Sequence, residues 1–274
     1  MKSISCGLDA VLRGWGDEMV ATGRRPGTVA LRMSHAKRFI EHINGDIQRF
    51  TRGEIITWMA GQQWAPATRA SARASIRMLG RWMFENGVIS VDPTNKLPTV
   101  LLPRAVPLPV PDPIVLAAIR AADDRVRIML ELMALCGLRR GEVAKVRAAD
   151  ITRSEGVWLL RVEGKGGHVR VVPCPPHLGR QISAVGGWLF PGQCEGHISA
   201  AHVGKLVSRA LPEDWTGHKL RHRFATAAYR ATHDIRAVQE LLGHAKIETT
   251  RVYIGVSPSA LGVAARAAWR IEGG

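Results

Sequence analysis

Ala134-Leu135-Cys136-Gly137-Leu138-Arg139-Arg140-Gly141-Glu142-Val143 carries a strongly apolar run into a glycine break, two adjacent arginines and a glutamate. The apolar segment begins at Val126, and a further helix is expected to open at Glu142. An apolar run that delivers two guanidiniums to a Gly-marked break sets fixed positive charge at the edge of a packed core. Arginine keeps its proton at physiological pH and presents a rigid fork of donors matched to phosphate oxygens. Taken alone, the stretch is better described as a helix C-cap followed by surface arginines. The segments downstream reverse that preference.

A chain of 274 residues is long enough for one large domain or two modest ones. The 38 Lys and Arg residues exceed the 23 Asp and Glu residues, giving a net charge of +15. Divided at residue 110, both halves are net basic. A polyanion is therefore the expected partner. Nucleic acid leads, because no polybasic amphipathic helix supports an anionic membrane surface instead. Cys6, Cys136, Cys174 and Cys194 show neither C-x-x-C spacing nor a metal-ligand cluster, which suits reduced, unpaired thiols of a cytosolic protein. Asp9, Arg13, Asp17 and Glu18 interrupt any signal-peptide core. No uncharged run approaches the length of a membrane span, so a soluble intracellular protein is expected.

Residues 1–95 read as a small all-helical domain. Leu8, Val11, Leu12, Trp15, Met19 and Val20 recur at helical spacing up to Gly23, and Pro26-Gly27-Thr28 opens a second helix. Thr51-Arg52-Gly53-Glu54 is spaced as a capping box before Ile55 and Trp58. A fourth helix, from about Pro66 to Glu85, buries Ile76, Leu79, Trp82 and Met83. It carries Arg69, Arg73, Arg77 and Arg81 at four-residue steps, a straight stripe that suits either a solvated face or a DNA backbone. Residues 96–112 hold Pro98, Pro103, Pro107, Pro109 and Pro111 and read as an extended interdomain linker.

Residues 113–274 form the second domain. Helices are expected at 113–121, 124–136 and 141–147. A β-hairpin follows, its strands Val157 to Glu163 and Val169 to Val172 flanking a Gly164-Lys165-Gly166-Gly167 turn. Further helices are expected at about 199–210, 218–231, 234–242, 246–253 and 257–269. His218 and Arg221 are i and i+3 neighbours, and His222 shares their face. The chain has only two tyrosines. Tyr229 falls inside an amphipathic helix, where packing is its expected role, and Tyr253 follows His244 by nine residues.

Four boxes therefore carry charged or nucleophilic groups: Cys136-Gly-Leu-Arg139-Arg-Gly-Glu142; Gly164-Lys165-Gly-Gly-His-Val-Arg170-Val-Val-Pro173; His218-Lys-Leu-Arg221-His222-Arg; and Leu242-Gly-His244 through Thr250-Arg-Val-Tyr253. In this order and spacing they resemble the tyrosine recombinase, or phage integrase, family. The resemblance covers most of the second domain, and the helical first domain looks like that family's SAM-like core-binding domain. It implies a mainly α, two-domain protein whose α+β catalytic domain holds a small antiparallel sheet.

The family reading further implies a site-specific recombinase that acts on double-stranded DNA core sites through a 3′-phosphotyrosyl intermediate. The family's attack on phosphate would fall to Tyr253. Arg139, Arg221 and His244 would stabilise the charge on phosphorus, Lys165 would protonate the leaving 5′-oxygen, and His218 would assist proton transfer. Glu142 is expected to brace the arginine box, leaving Arg140 free as an internal control. No metal or other cofactor is required.

A monomer in solution, a homotetramer on DNA and an accessory directionality factor are the expected partners, with no membrane. Arg223 stands where the family has a small hydroxyl residue and His168 where a second lysine is common, and both are expected to tune DNA contacts at most. The length leaves no room for an arm-binding N-terminal domain, so a short form is expected. A topoisomerase IB-like relaxing enzyme and a catalytically inactive DNA-binding protein are the alternatives. The C-terminal helix could dock on a neighbouring subunit or on its own.

Overall fold

A computed structural model describes residues 3–103, 108–164, 167–243 and 258–271. The chain divides into two compact units, Met1–Ala105 and Val106–Gly274.

The first unit is four helices, α1 (Ser3–Ala21), α2 (Pro26–His42), α3 (Arg52–Ala60) and α4 (Pro66–Glu85). Leu12 and Trp15 of α1, Phe39 of α2, Ile55 and Trp58 of α3, and Ile76, Leu79 and Met83 of α4 meet in one core. Pro26 and Pro66 sit at the starts of their helices, where a missing N–H costs nothing and the fixed φ is already helical. Thr51 caps α3 through Glu54 N–H at 3.2 Å. Glu54 does not return to the Thr51 backbone as a capping box requires. Its carboxylate binds Arg49 at 3.0 and 2.6 Å and His42 at 3.2 Å, because a charge-assisted bond outcompetes one to a neutral amide.

The arginine row of α4 is unevenly disposed. Arg69 donates to the Gln62 carbonyl, Arg73 to the carbonyls of Leu97 and Pro98, and Arg81 to Glu85, while Arg77 is exposed.

The second unit is built on α5 (Asp112–Ala121) and α6 (Asp124–Leu135), followed by the short α7 (Arg140–Ala144). A three-stranded antiparallel sheet comes next, β1 (Ile151–Ser154), β2 (Val157–Glu163) and β3 (Val169–Cys174), in the order β1-β2-β3. Then follow α8 (Pro176–Ser183), β4 (Pro191–Cys194), α9 (Ala200–Ala210), α10 (Gly217–Thr232), α11 (Ile235–Leu242) and α12 (Pro258–Trp269). Met129, Leu130, Leu132, Met133, Ala134 and Leu135 of α6 are all buried. A helix segment as apolar as this C-terminal half belongs in the middle of a core. Here α5, α7, α9, α10 and α12 surround it.

Pairing of Leu160 with Val172 and of Val162 with Arg170 turns one face of the sheet into that core. The fold is mainly helical with a small antiparallel sheet, as the resemblance implies. α12 packs on α10, α11, α6 and β3 of its own unit, with Ala265 and Ala268 fully buried.

Several expectations need correction. β1 and β4, four residues each, and α8, opened by Pro175 and Pro176, stand in addition to the expected elements. The stretch read as a linker is not free at its ends: Leu97 joins the first core and Val110 the second. Tyr229, expected to pack, is 43 % exposed with its ring against His233. The helix expected at 246–253 lies outside the described residues.

Candidate active site

The site begins where α6 ends. Gly137 adopts φ +64°, and a Cβ there would lie 2.5 Å from the Phe224 ring of α10. Only glycine meets both demands. The break does form the expected glycine cap, and the same cap builds the site, because the Gly137 carbonyl accepts from Nη1 of Arg221.

Arg139 then stands at the N-cap of α7. Glu142, one turn on and 6 % exposed, accepts from the Arg139 backbone N–H at 2.9 Å and from Arg139 Nη1 at 2.8 Å. Arg170, inward-facing on β3, forks onto both Glu142 oxygens at 3.0 and 2.7 Å. Arg221 Nη1 lies 3.7 Å from the same carboxylate. One buried carboxylate thus braces three guanidiniums.

Arg170 and Arg221 also fasten α11. Arg170 Nε donates to the Leu241 carbonyl at 2.8 Å, and Arg221 Nη2 donates to the Leu242 carbonyl. These are last-turn carbonyls with no partner inside the helix, at the end favourable to cations. The two arginines therefore fix the end of α11 at Gly243.

The charges are tuned by this packing. Burial pushes the Glu142 carboxyl up, but hydrogen bonds to Arg170 and its charge, then the bonds from Arg139, bring it net below the ordinary value. Burial, then Arg139 and Arg170, push Arg221 down to about 9 against the opposing pull of Glu142, which leaves it charged at neutral pH. Burial, then His222, Arg221 and Arg139, push His218 below its usual value, so its imidazole is neutral at pH 7 and able to accept a proton. The His218 and His222 rings meet edge to face with centroids 4.5 Å apart.

Arg139, His218 and Arg221 line one cavity of about 560 Å³, together with Arg140 and Lys205. Three predicted site residues from two distant segments therefore converge, with Glu142 directly behind them. Lys165, His244 and Tyr253 lie outside the described residues.

Sequence reading missed Arg170, although the signal was present: it shares the inward register of Val172 in a strand of alternating burial. It also misplaced Arg223. That side chain is 4 % exposed, bound to Asp112 at 2.8 and 3.2 Å and to the carbonyls of Ala134, Ala268 and Arg270. Two residues along a helix from Arg221, it points away from the cavity and ties α5, α6 and the end of α12 together. It is not available to DNA. Cys136 and Cys174 are free, buried thiols with sulfurs 4.0 Å apart, and Cys194 is free and exposed.

A helical core that presents clustered arginines and a neutral histidine around one cavity, with no carboxylate lining it among the described residues, suits the binding of a phosphate. The sequence profile of the Phage integrase family matches residues 114–259. The XerC tyrosine recombinase of Mesorhizobium japonicum is 29 % identical over 93 % of this chain and 93 % of its own length. That of Chromohalobacter salexigens is 31 % identical over 69 % and 70 %. The λ integrase 75–356 dimer bound to a COC′ core site superposes with TM-score 0.71 and 18 % identity, over 90 % of this chain and 99 % of that one. A λ integrase tetramer bound to a Holliday junction gives TM-score 0.70 and 20 % identity, over 93 % and 85 %. The chain belongs to the phage integrase family of tyrosine recombinases and is a DNA strand transferase of site-specific recombination.

Proposed function

We propose that this protein cleaves and rejoins double-stranded DNA core sites through a 3′-phosphotyrosyl intermediate, within a synaptic tetramer assembled from monomers. The Tyr253 hydroxyl attacks the scissile phosphorus while the bond from phosphorus to the 5′-oxygen breaks. The phenolic proton passes to His218, and Lys165 protonates the leaving 5′-oxygen. Reversal by a 5′-hydroxyl from the partner duplex reseals the strand, so the bond energy is conserved and no nucleotide cofactor enters. Arg139, Arg221 and His244 stabilise the charge that grows on the non-bridging oxygens. The helical domain of residues 1–95, with the Arg69, Arg73, Arg77 and Arg81 row, grips the core site. The protein works on DNA in the cytoplasm, with an accessory factor setting direction.

The observation that carries this reading is the shared cavity of Arg139, His218 and Arg221; these two arginines and Arg170 share Glu142 as their one carboxylate among the described residues, an excess of two positive charges. The arrangement is incomplete without an anion. The λ integrase tetramer on a Holliday junction supports the assembly.

The test is a nicked suicide duplex, built on a core site selected from a randomised pool. Loss of the short 5′ fragment strands the enzyme as a covalent adduct, whose peptide map should identify Tyr253. Arg139→Ala should retain most of its DNA affinity yet form adduct about 10²–10³-fold more slowly, because its stabilisation is realised in the transition state. Failure of the wild-type protein to form any adduct would remove the proposal.

A further inference from the structure

The cavity that holds the catalytic arginines is larger and more cationic than one phosphate needs. Its volume of about 560 Å³ falls in the range that accommodates a whole small-molecule ligand, about 300–1,000 Å³. Arg140 and Lys205 line it beside Arg139, His218 and Arg221, and among the described residues no carboxylate lines it. Glu142 offsets part of the charge on Arg139 and Arg221. No acidic partner offsets Arg140 or Lys205 among the described residues, so this half of the cavity keeps its full charge.

The placement of these two cations follows from the packing of α7 on α9. Arg140 is the first residue of α7, and its Nη1 and Cδ pass 3.2 and 3.3 Å from where a Cβ on Gly204 would stand. The missing side chain at 204 lets the guanidinium lie across α9, next to Lys205 in sequence. Ser208, one turn further along α9, lines the same wall with a hydroxyl. Thr216, the N-cap of α10, does not turn its side chain back to cap the helix, so the positive end of α10 adds to the field.

We propose that the cavity takes two consecutive phosphates of one DNA strand. The scissile phosphate lies on Arg139, Arg221 and His218, and a flanking, unreacting phosphate lies on Arg140, Lys205 and Ser208. This rests on the strand-transfer reading above. Phosphates of one strand follow each other at about 3.4 Å of helix rise and lie farther apart through space, and Arg140 adjoins Arg139 in the same cavity, so a strand seated on Arg139 brings its next phosphate within the cavity's span. Arg140, set aside in the sequence as a free neighbour of the catalytic arginine, becomes a substrate-positioning residue.

The experiment has two arms that fail separately. In the first, binding to a mixed-sequence 30-bp duplex is titrated against salt, which requires no cleavage. The Arg140→Ala/Lys205→Ala double variant, which leaves that one phosphate without its cations, should reduce the salt slope by about 0.9, with about a fivefold loss of affinity at 0.15 M salt, and each single variant should fall between it and wild type. Arg180→Ala, on α8 and outside the cavity, should leave the slope unchanged. An unaltered slope in the double variant would overturn the subsite.

In the second arm, single methylphosphonates replace successive phosphates of the suicide duplex. Neutralising the phosphate next to the scissile one should weaken wild type and leave the Arg140→Ala/Lys205→Ala double variant indifferent. Insensitivity of the double variant only at some more distant phosphate would overturn the adjacency. A wild-type protein that binds with a steep salt slope but forms no adduct would sink the strand-transfer reading while the first arm still decides the subsite.

Discussion

Tyr253→Phe should form no covalent adduct on the suicide duplex while binding that duplex with the affinity of wild type. The substitution removes one hydroxyl and keeps the ring, so packing and DNA contacts are preserved and only the nucleophile is lost. A phenol with a pKa near 10 is about a thousandfold protonated at pH 7, so attack depends on a base within reach. His218, held neutral by burial, His222 and two arginines, is the base proposed for this step. Its rate contribution should appear as a fall in adduct formation once pH drops below its depressed pKa, where the imidazole already carries a proton. The chain supplies its own control, since its second tyrosine, Tyr229, is exposed on α10 against His233 and is absent from the cavity lining. Tyr229→Phe should cleave as wild type does. Adduct persisting in Tyr253→Phe and vanishing in Tyr229→Phe would reverse the assignment.

The parts of this protein legible in the sequence are those governed by local rules. The apolar run into Gly137 announces both the buried α6 and its left-handed cap, because a glycine with positive φ is a local demand. The hairpin strands declare themselves by β-branched runs, and Arg221 by its helical spacing from His218. Arg223 shows the limit. Its sequence neighbours place it on the helix of His218 and Arg221, yet its direction is decided by Asp112, 111 residues earlier, and by carbonyls 45 and 47 residues later. Arg170 was hidden in another way. An inward arginine in a strand is a cost unless a carboxylate waits for it, and the waiting Glu142 lies 28 residues away. Long-range charge pairing has no local signature, so the sequence names these residues without revealing which one each was placed to meet.

Glu142→Ala should be the most destabilising single change at the site. Arg170 and Arg221 retain only 7 % and 5 % side-chain exposure, and Glu142 itself 5 %. Removing one partner of a buried ion pair costs about 3–5 kcal/mol, since the remaining charge is left without water or counterion. Here two buried guanidiniums and the half-buried Arg139 lose their carboxylate together. For a catalytic unit of this size such a loss lowers Tm by about 10 °C.

The pH dependence has a definite sign. The folded Glu142 carboxyl is held below the ordinary carboxylate value, so its contribution is fully present above the unfolded carboxylate pKa. It is lost as pH falls through the lower folded value. Wild type should therefore lose stability below about pH 4.5, and Glu142→Ala should lack that share of the acid-side slope.

Catalysis separates brace from charge. If Glu142 served only to cancel positive charge, its removal would strengthen DNA binding and leave cleavage intact. Because it also holds Arg139 Nη1 and the Arg139 backbone N–H, the variant should bind duplex at least as tightly yet form adduct at least tenfold more slowly. Glu142→Gln keeps the shape but accepts through one oxygen in place of two, and should fall between them. Denaturation at pH 7 and single-turnover cleavage on the same preparations decide the matter. Wild-type stability in Glu142→Ala would show that the three arginines find other partners and that the brace is not what assembles the site.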